Sequence, residues 1–281
     1  MLIDKPAGWT SHDVVAVVRR QLRTRSVGHA GTLDPFATGL LVVLIGRATR
    51  LARFVEAERK VYQAVVHFGV ATDTDDGTGT MIATAEPAAW PTPAELERAA
   101  AELVGSQLQR PPAFSAKHVD GRRAYAMARA GEVVTLAPVE VMVHRIELGE
   151  WAPPRLTLTA TVGRGTYLRA LARDLGERLG LPAHCAELRR TAIGSFTVAE
   201  AVSPQDVSEL ALRVPSAMIG TMPRVTVDAA ERRDLGFGRS VPQREPMMGQ
   251  AALLAEDGSL VAVAIATGNR WQPEVVLEPA A

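Results

Sequence analysis

Long apolar runs are missing from this 281-residue chain: the longest, Leu260–Ala266, covers seven residues, against the ~20 a helix needs to cross a bilayer. No membrane-spanning helix is expected. Cysteine occurs once, at Cys185, which excludes a disulfide framework and any all-cysteine metal site. The six histidines (His12, His29, His67, His118, His144 and His184) have no HxxH or HxxxH spacing, so no metal centre is expected. Lysine is scarce, three residues beside 28 arginines. The opening MLIDKPAGWT has no basic-then-apolar leader, which leads us to expect a cytoplasmic protein. What is present is enough apolar material, 47%, for one large domain with a real core and a small second one.

Net charge is zero, but the charges are sorted. Residues 1–60 carry ten Lys/Arg against five Asp/Glu, residues 110–130 five against one, and residues 164–190 six against three. Such segments either converge into one face that attracts a polyanion or remain scattered solvated arginines, and charge alone leaves both open.

Along the chain, Leu2–Ile3 reads as a short strand, and Thr10 with Asp13 as a capping box opening a helix with Val14, Val17, Val18 and Leu22 on one face. A glycine-rich stretch, Gly28–Gly39, leads to a buried-type strand, Leu40–Ile45. Residues 61–68 and 155–162 alternate as half-buried strands, the first with Tyr62, Ala64, Val66 and Phe68 on one side. Helical stripes follow at Leu96, Ala99, Ala100, Leu103 and Val104, and at Leu168, Leu171, Ala172, Leu175 and Leu179. Arg169 and Arg173 lie off the second stripe. Strands and helices mix without a βαβ rhythm, which predicts an α+β fold with a mixed, largely antiparallel central sheet flanked by helices. After a break near 214–223, short β pieces at 224–228, 251–255, 260–266 and 275–277 predict a small C-terminal β module.

Gly163-Arg164-Gly165 lacks the third glycine of a dinucleotide fingerprint, because Leu168 stands there, so it reads as a turn releasing a helix. Asp73-Thr74-Asp75-Asp76-Gly77 lacks the glycine spacing and closing glutamate of a calcium loop and reads as a polar turn. The segment Gly28–Gly39 is richer in chemistry, with a histidine and one carboxylate between a helix and a core strand. Asp34 precedes Pro35, which biases its backbone to extended geometry. On spacing alone it is either a turn cap or a functional carboxylate.

The stretch GHAGTLDPFATGLL closely resembles the catalytic motif of the bacterial tRNA pseudouridine-55 synthases, the TruB family. The resemblance continues at DKPAGWTS, KVYQ, TDTDDGTG, QRPPAFSAKHVDGRRAYAMARAG, GRGTYLRALARDLG and LRRTAIGSF, in the family's order, over residues 1–200. It implies a pseudouridine synthase fold over residues 1–215, with an RNA-clamping insertion at about 110–135, and a PUA-like module over 220–281. By the same resemblance Asp34 is the catalytic aspartate, Tyr62 stacks on the target base, and Arg169 pairs with the aspartate. His29 enters the space left by a flipped nucleotide, while Tyr167 and Leu188 line the base pocket. Arg110, Lys117, Arg122 and Arg123 face phosphates, and Lys5 and Pro6 buttress the active-site loop. Ala30 and Phe36 depart from the family's usual threonine and leucine, without removing a reacting group. No cofactor or metal is implied. The implied partner is the T stem-loop of tRNA, with no obligatory protein partner and a monomeric state. A tRNA-folding chaperone and a guide-RNA-dependent subunit are the alternatives; a chain that starts at its first motif and ends soon after its last domain favours a stand-alone enzyme.

Overall fold

Thr10 starts the first helix as its sequence requires: its hydroxyl accepts from the Asp13 amide, and the Asp13 carboxylate accepts from the Thr10 amide. We describe a computed structural model covering residues 1–115, 118, 119, 122, 123, 127, 132 and 136–278. Its helices are α1 (Ser11–Gln21), α2 (Ala52–Ala57), α3 (Pro93–Ala101), α4 (Leu168–Arg178) and α5 (Ala229–Gly236). The strands of the first half are β1 (Leu2–Lys5), β2 (Val27–Ala30), β3 (Thr38–Ile45), β4 (Lys60–Phe68), β5 (Val70–Thr72), β6 (Met81–Thr84), β7 (Gly105–Gln109), β8 (His118–Val119) and β9 (Arg122–Arg123). Those of the second half are β10 (Val139–Ala152), β11 (Arg155–Val162), β12 (Ala183–Ile193), β13 (Phe196–Thr197), β14 (Arg224–Thr226), β15 (Val241–Pro242), β16 (Gln250–Leu254), β17 (Leu260–Thr267) and β18 (Arg270–Val276).

Among the described residues, nine strands form one sheet in the order β1-β3-β12-β4-β11-β10-β7, with β2 on β3 and β13 on β12. Every pairing is antiparallel except β12 with β3, which is parallel and two residues long. The α+β reading with a largely antiparallel sheet therefore holds. That short parallel contact depends on Gly39, whose φ is +102° and where a Cβ would collide with the Arg190 carbonyl oxygen. Gly39→Ala is expected to destabilise the fold by roughly 2–3 kcal/mol, through strain at positive φ and overpacking, read as a lower urea midpoint.

Alternation decides which faces are covered. On one side of the sheet, Tyr62, Ala64, Val66 and Phe68 of β4 and Leu156, Leu158, Ala160 and Val162 of β11 pack with Leu96, Ala99, Ala100 and Leu103 and with Leu168, Leu171 and Leu175 of α4. Strand β3 is buried on both faces, as its unbroken apolar run suggests: Leu41 and Val43 meet α1, while Leu40, Val42 and Leu44 meet Leu51, Val55, Met218 and Ile219. The latter core runs on without interruption into Ala252, Leu260, Val263 and Val275 of the second, five-stranded sheet, ordered β14-β16-β17-β18-β15. Arg50 adds a bond from Nη1 to the Val276 carbonyl, 2.7 Å, and Arg53 an ion pair with Glu274, 2.9 Å.

Some expectations need correction. Val15, not Val17, joins Val14 and Val18 in the core: it follows the buried Ser11 by four residues and precedes Val18 by three, which puts it on their face of α1. Val104 follows α3 at a 3₁₀-like turn and stays 45% exposed. Helix α5 is an addition to the β module, and β18 begins five residues earlier than expected. Among the described residues no helix is long and apolar enough to span a membrane.

Candidate active site

The loop joining β2 to β3, residues 31–37, is short, and it is pinned on several sides. The Ser11 hydroxyl accepts from the Leu33 amide at 3.0 Å and donates to the Leu33 carbonyl at 3.2 Å. The Gly8 amide donates to the Pro35 carbonyl, 2.8 Å, and the Ala37 amide closes a turn on the Asp34 carbonyl, 3.1 Å. Lys5, fully buried, bonds through Nζ to the carbonyls of Pro6, Trp9 and Pro35 at 2.9, 2.7 and 3.3 Å. Burial lowers its pKa to about 8. From the sheet side, Arg190 bonds to the carbonyls of Gly31 and Leu40 at 2.9 and 2.7 Å.

Asp34 is presented on this clamped loop with 36% of its side-chain surface open, and its Oδ2 lies 2.9 Å from Nε of Arg169. Arg169 is only 3% exposed, although its place off the apolar stripe of α4 suggested an accessible side chain. It is buried because polar groups surround it. Nη1 donates to the Thr74 carbonyl at 2.8 Å, Nη2 to the Phe114 carbonyl at 2.9 Å, and Nη1 also stands 3.5 Å from Oδ2 of Asp76. The other Asp76 oxygen accepts from the Thr74 hydroxyl, 2.8 Å, and from the Thr78 amide and hydroxyl, 3.0 and 2.6 Å. One guanidinium thus lies between two carboxylates. Burial raises the Asp34 pKa above the ordinary aspartate value and the charge of Asp76 adds to this, while Arg169 opposes both.

Helix α4 starts at a fixed point. The Gln109 side chain, 1% exposed, holds the backbone of its first flanking residue twice, accepting from the Tyr167 amide at 2.8 Å and donating to the Tyr167 carbonyl at 3.2 Å. One turn after Arg169, Arg173 pairs with Asp75 at 2.8 Å and donates to the Arg110 carbonyl at 2.8 Å. Both arginines therefore tie α4 to the 73–78 turn and to the 110–114 segment.

Of the expected site residues, Asp34 and Arg169 are in direct contact. Tyr62 lies buried in the core shared by Leu33, Ala37 and Leu188. Its hydroxyl accepts from Arg190 Nη1 at 3.4 Å. Tyr167 is half-buried at the head of α4, near enough to Asp34 that the carboxylate, after burial, helps to raise its phenol pKa. His29 is half-buried on β2, its ring edge-on to His12 at 5.7 Å, and burial lowers its pKa. Arg110 is exposed and stands 3.5 Å from Glu177. Arg122 and Arg123 form β9, paired with β8. Lys117 lies outside the described residues.

Residue-by-residue reading missed Asp76, Gln109 and Arg190 as site components. Asp76 sits in what reads as a polar turn, and nothing local marks it as facing an arginine 93 positions away. A cavity of about 520 Å³ between Trp90, α3 and the end of α4 shares no residue with this cluster.

Comparison with known proteins follows the same lines. Residues 19–168 match the model of the TruB family pseudouridylate synthase N-terminal domain. Residues 169–218 match the tRNA pseudouridylate synthase B C-terminal domain, and 222–278 the C-terminal domain of tRNA pseudouridine synthase II. The tRNA pseudouridine synthase B of Arthrobacter sp. (strain FB24) is 40% identical, over 99% of this chain and 96% of the relative. That of Thermobifida fusca (strain YX) is 41% identical over 98% and 97%. Among solved structures, a Cbf5-Nop10-Gar1 complex superposes with a TM-score of 0.76 at 24% identity, over 99% of this chain and 85% of the matched one, and supports the fold. With its clamped aspartate, paired arginine and end-to-end similarity, the chain belongs to the TruB family of pseudouridine synthases.

Proposed function

We propose that the protein isomerises uridine 55 in the T loop of tRNA, with Asp34 as the reacting carboxylate and Arg169 as its counter-ion. The observation that carries this reading is the 2.9 Å Asp34–Arg169 pair, held by buried groups on both sides yet open at the carboxylate. Conversion of uridine to pseudouridine breaks the bond from ribose C1′ to N1, turns the base, and forms the bond from C1′ to C5. The C5 proton is lost and N1 gains one, so no electrons are gained or lost overall. A carboxylate held against C1′ stabilises the positive charge that develops there as N1 leaves, whether it remains an ion or adds covalently. A folded loop must evert the uridine first, at a cost of a few kcal/mol that pocket and phosphate contacts offset.

In this reading Tyr62 stacks on the everted base, Tyr167 and Leu188 wall its pocket, and His29 fills the gap left behind. Arg110, Lys117, Arg122 and Arg123 engage phosphates from an insertion at about 110–135, and residues 220–281 act as a PUA-like RNA-binding module beside a catalytic domain of residues 1–215. The enzyme works alone as a monomer in the cytoplasm, where tRNA is found. Relatives about 40% identical from end to end support this over a guide-dependent subunit, since the likeness to the Cbf5-Nop10-Gar1 complex and to an H/ACA RNP bound to a substrate RNA, at 22–24%, concerns the fold.

The test uses T stem-loop RNA tritiated at uracil C5. Tritium should be released one-for-one with pseudouridine, without guide RNA, and absence of release from the wild-type protein would overturn the reading. RNA affinity should fall linearly with salt on a log–log plot, and Arg122→Ala should shallow the slope by about one unit. An unchanged slope would place Arg122 away from the RNA.

A further inference from the structure

We propose that Arg190 is a positioning residue for the reaction: its buried guanidinium joins the two arms of the 31–37 loop to the Tyr62 hydroxyl and so sets the angle at which Asp34 meets the everted nucleotide. The inference rests on Asp34 being the reacting carboxylate.

Strand register creates the arrangement. Arg190 lies opposite Tyr62 across the β12–β4 pairing and opposite Gly39 across the β12–β3 pairing. Its neighbour Arg189 points the other way, to an Asp4 ion pair at 2.7 Å, so the alternation of β12 sends Arg190 inward. There it is 1% exposed. Nη2 donates to Gly31 O at 2.9 Å and Nη1 to Thr32 O at 3.4 Å, on the arm entering the loop. Nε donates to Leu40 O at 2.7 Å, just past the arm leaving it. Nη1 also reaches the Tyr62 hydroxyl at 3.4 Å, and the guanidinium carbon stands 5.9 Å from the centre of that ring.

Among the described residues no carboxylate lies within ion-pair distance of this cation, whose charge acts on Lys5, Lys60 and His29. A buried cation balanced by carbonyl dipoles alone is an expensive way to fill a core, because an apolar residue of similar volume is often as stable or more so. The expense is explained if the planar fork is needed to fix three backbone carbonyls and a phenol in one geometry, which an ammonium cannot reproduce. The loop passes against the fork at Gly31, where φ is +79° and a Cβ would lie in van der Waals contact with Nη1, 3.4 Å away. A displacement of about 1 Å at a reacting group is enough to cost about 100-fold in rate.

The test compares wild type, Arg190→Lys, Gly31→Ala and Asp34→Asn in single-turnover reactions at saturating T stem-loop RNA, with RNA Kd and thermal unfolding measured on the same preparations. Arg190→Lys should lose about 100-fold in the rate constant while Kd stays within about threefold. Gly31→Ala, which strains the loop backbone at its contact with the guanidinium while leaving Arg190 in place, should lose at least about tenfold in the same constant. A merely structural role would lower the melting temperature and the active fraction but leave the rate per folded molecule at the wild-type value. That result, or a loss of affinity in place of rate, overturns the proposal. If Arg190→Lys does not fold, Gly31→Ala decides: a wild-type rate there also overturns it. Substantial activity in Asp34→Asn would instead show that the underlying assignment of the carboxylate has failed.

Discussion

Asp34→Asn should lose at least about 1000-fold in pseudouridine formation while binding T stem-loop RNA within about threefold of wild type. The amide keeps the shape of the side chain and the turn made by its backbone, but it can neither carry the charge nor form the bond the chemistry needs. The loop should not collapse, since its anchors at Ser11, Gly8, Lys5 and Arg190 do not involve the carboxylate. Stability should follow the sign of the pKa shift. Burial raises the folded-state pKa of Asp34, so the unfolded chain gives up this proton at lower pH. Stability therefore falls as pH rises through that window, and at neutral pH the ionised carboxylate costs folding free energy. Removing the charge should leave the melting temperature at or above the wild-type value. In the active enzyme, the acid limb of the pH–rate profile should lie above the ordinary aspartate range. A limb at the ordinary value would mean that another group governs the rate.

Arg169→Met should affect both stability and chemistry. It leaves Asp76, 7% exposed, and Asp34, 36% exposed, facing one another without the cation between them. Removing one partner of a buried ion pair costs 3–5 kcal/mol, and the open rim at Asp34 places this case near the lower end, about 3 kcal/mol. The expected fall in melting temperature is roughly 5–10 °C. Rate should fall by at least about 100-fold, because the carboxylate loses both orientation and the charge that keeps it ionised. The sign of the pH effect is fixed: with Arg169 gone the Asp34 pKa rises further, so any residual activity should have its acid limb at higher pH. Arg169→Lys should restore part of the stability and little of the rate, since an ammonium cannot span Asp34, Thr74 O and Phe114 O together.

Much of the fold was legible because local rules and packing agree. The capping box at Thr10, the alternation of β4 and β11, and the two-faced burial of β3 all follow from side-chain period and burial. Helix α5 was missed although Asp228 and Glu231 form a capping box, because its sequence AAERRDLG buries only Leu235 and so has no apolar stripe to see. Val15 was legible as well, since Ser11, Val14, Val15 and Val18 stand at the spacing of one helical face, with Val17 beside it.

The site divides in the same way. Asp34 stands out locally, between glycines and before a proline. Its partner is 135 positions away on a helix whose arginine looks solvent-facing until the 73–78 turn and the 110–114 segment close over it. The family resemblance supplied that pairing, and spacing could not. Arg190 carried a readable signal: two adjacent arginines in an alternating strand must send one side chain inward.

The most direct measurement is a structure of the protein bound to a T stem-loop whose target nucleotide cannot complete the reaction. An everted base is expected against Tyr62, with an Asp34 oxygen within about 3.5 Å of C1′ and Arg169 still on the far side of the carboxylate. A target uridine that remains stacked in its loop, or a bound nucleotide whose sugar lies well beyond contact with Asp34, would contradict it.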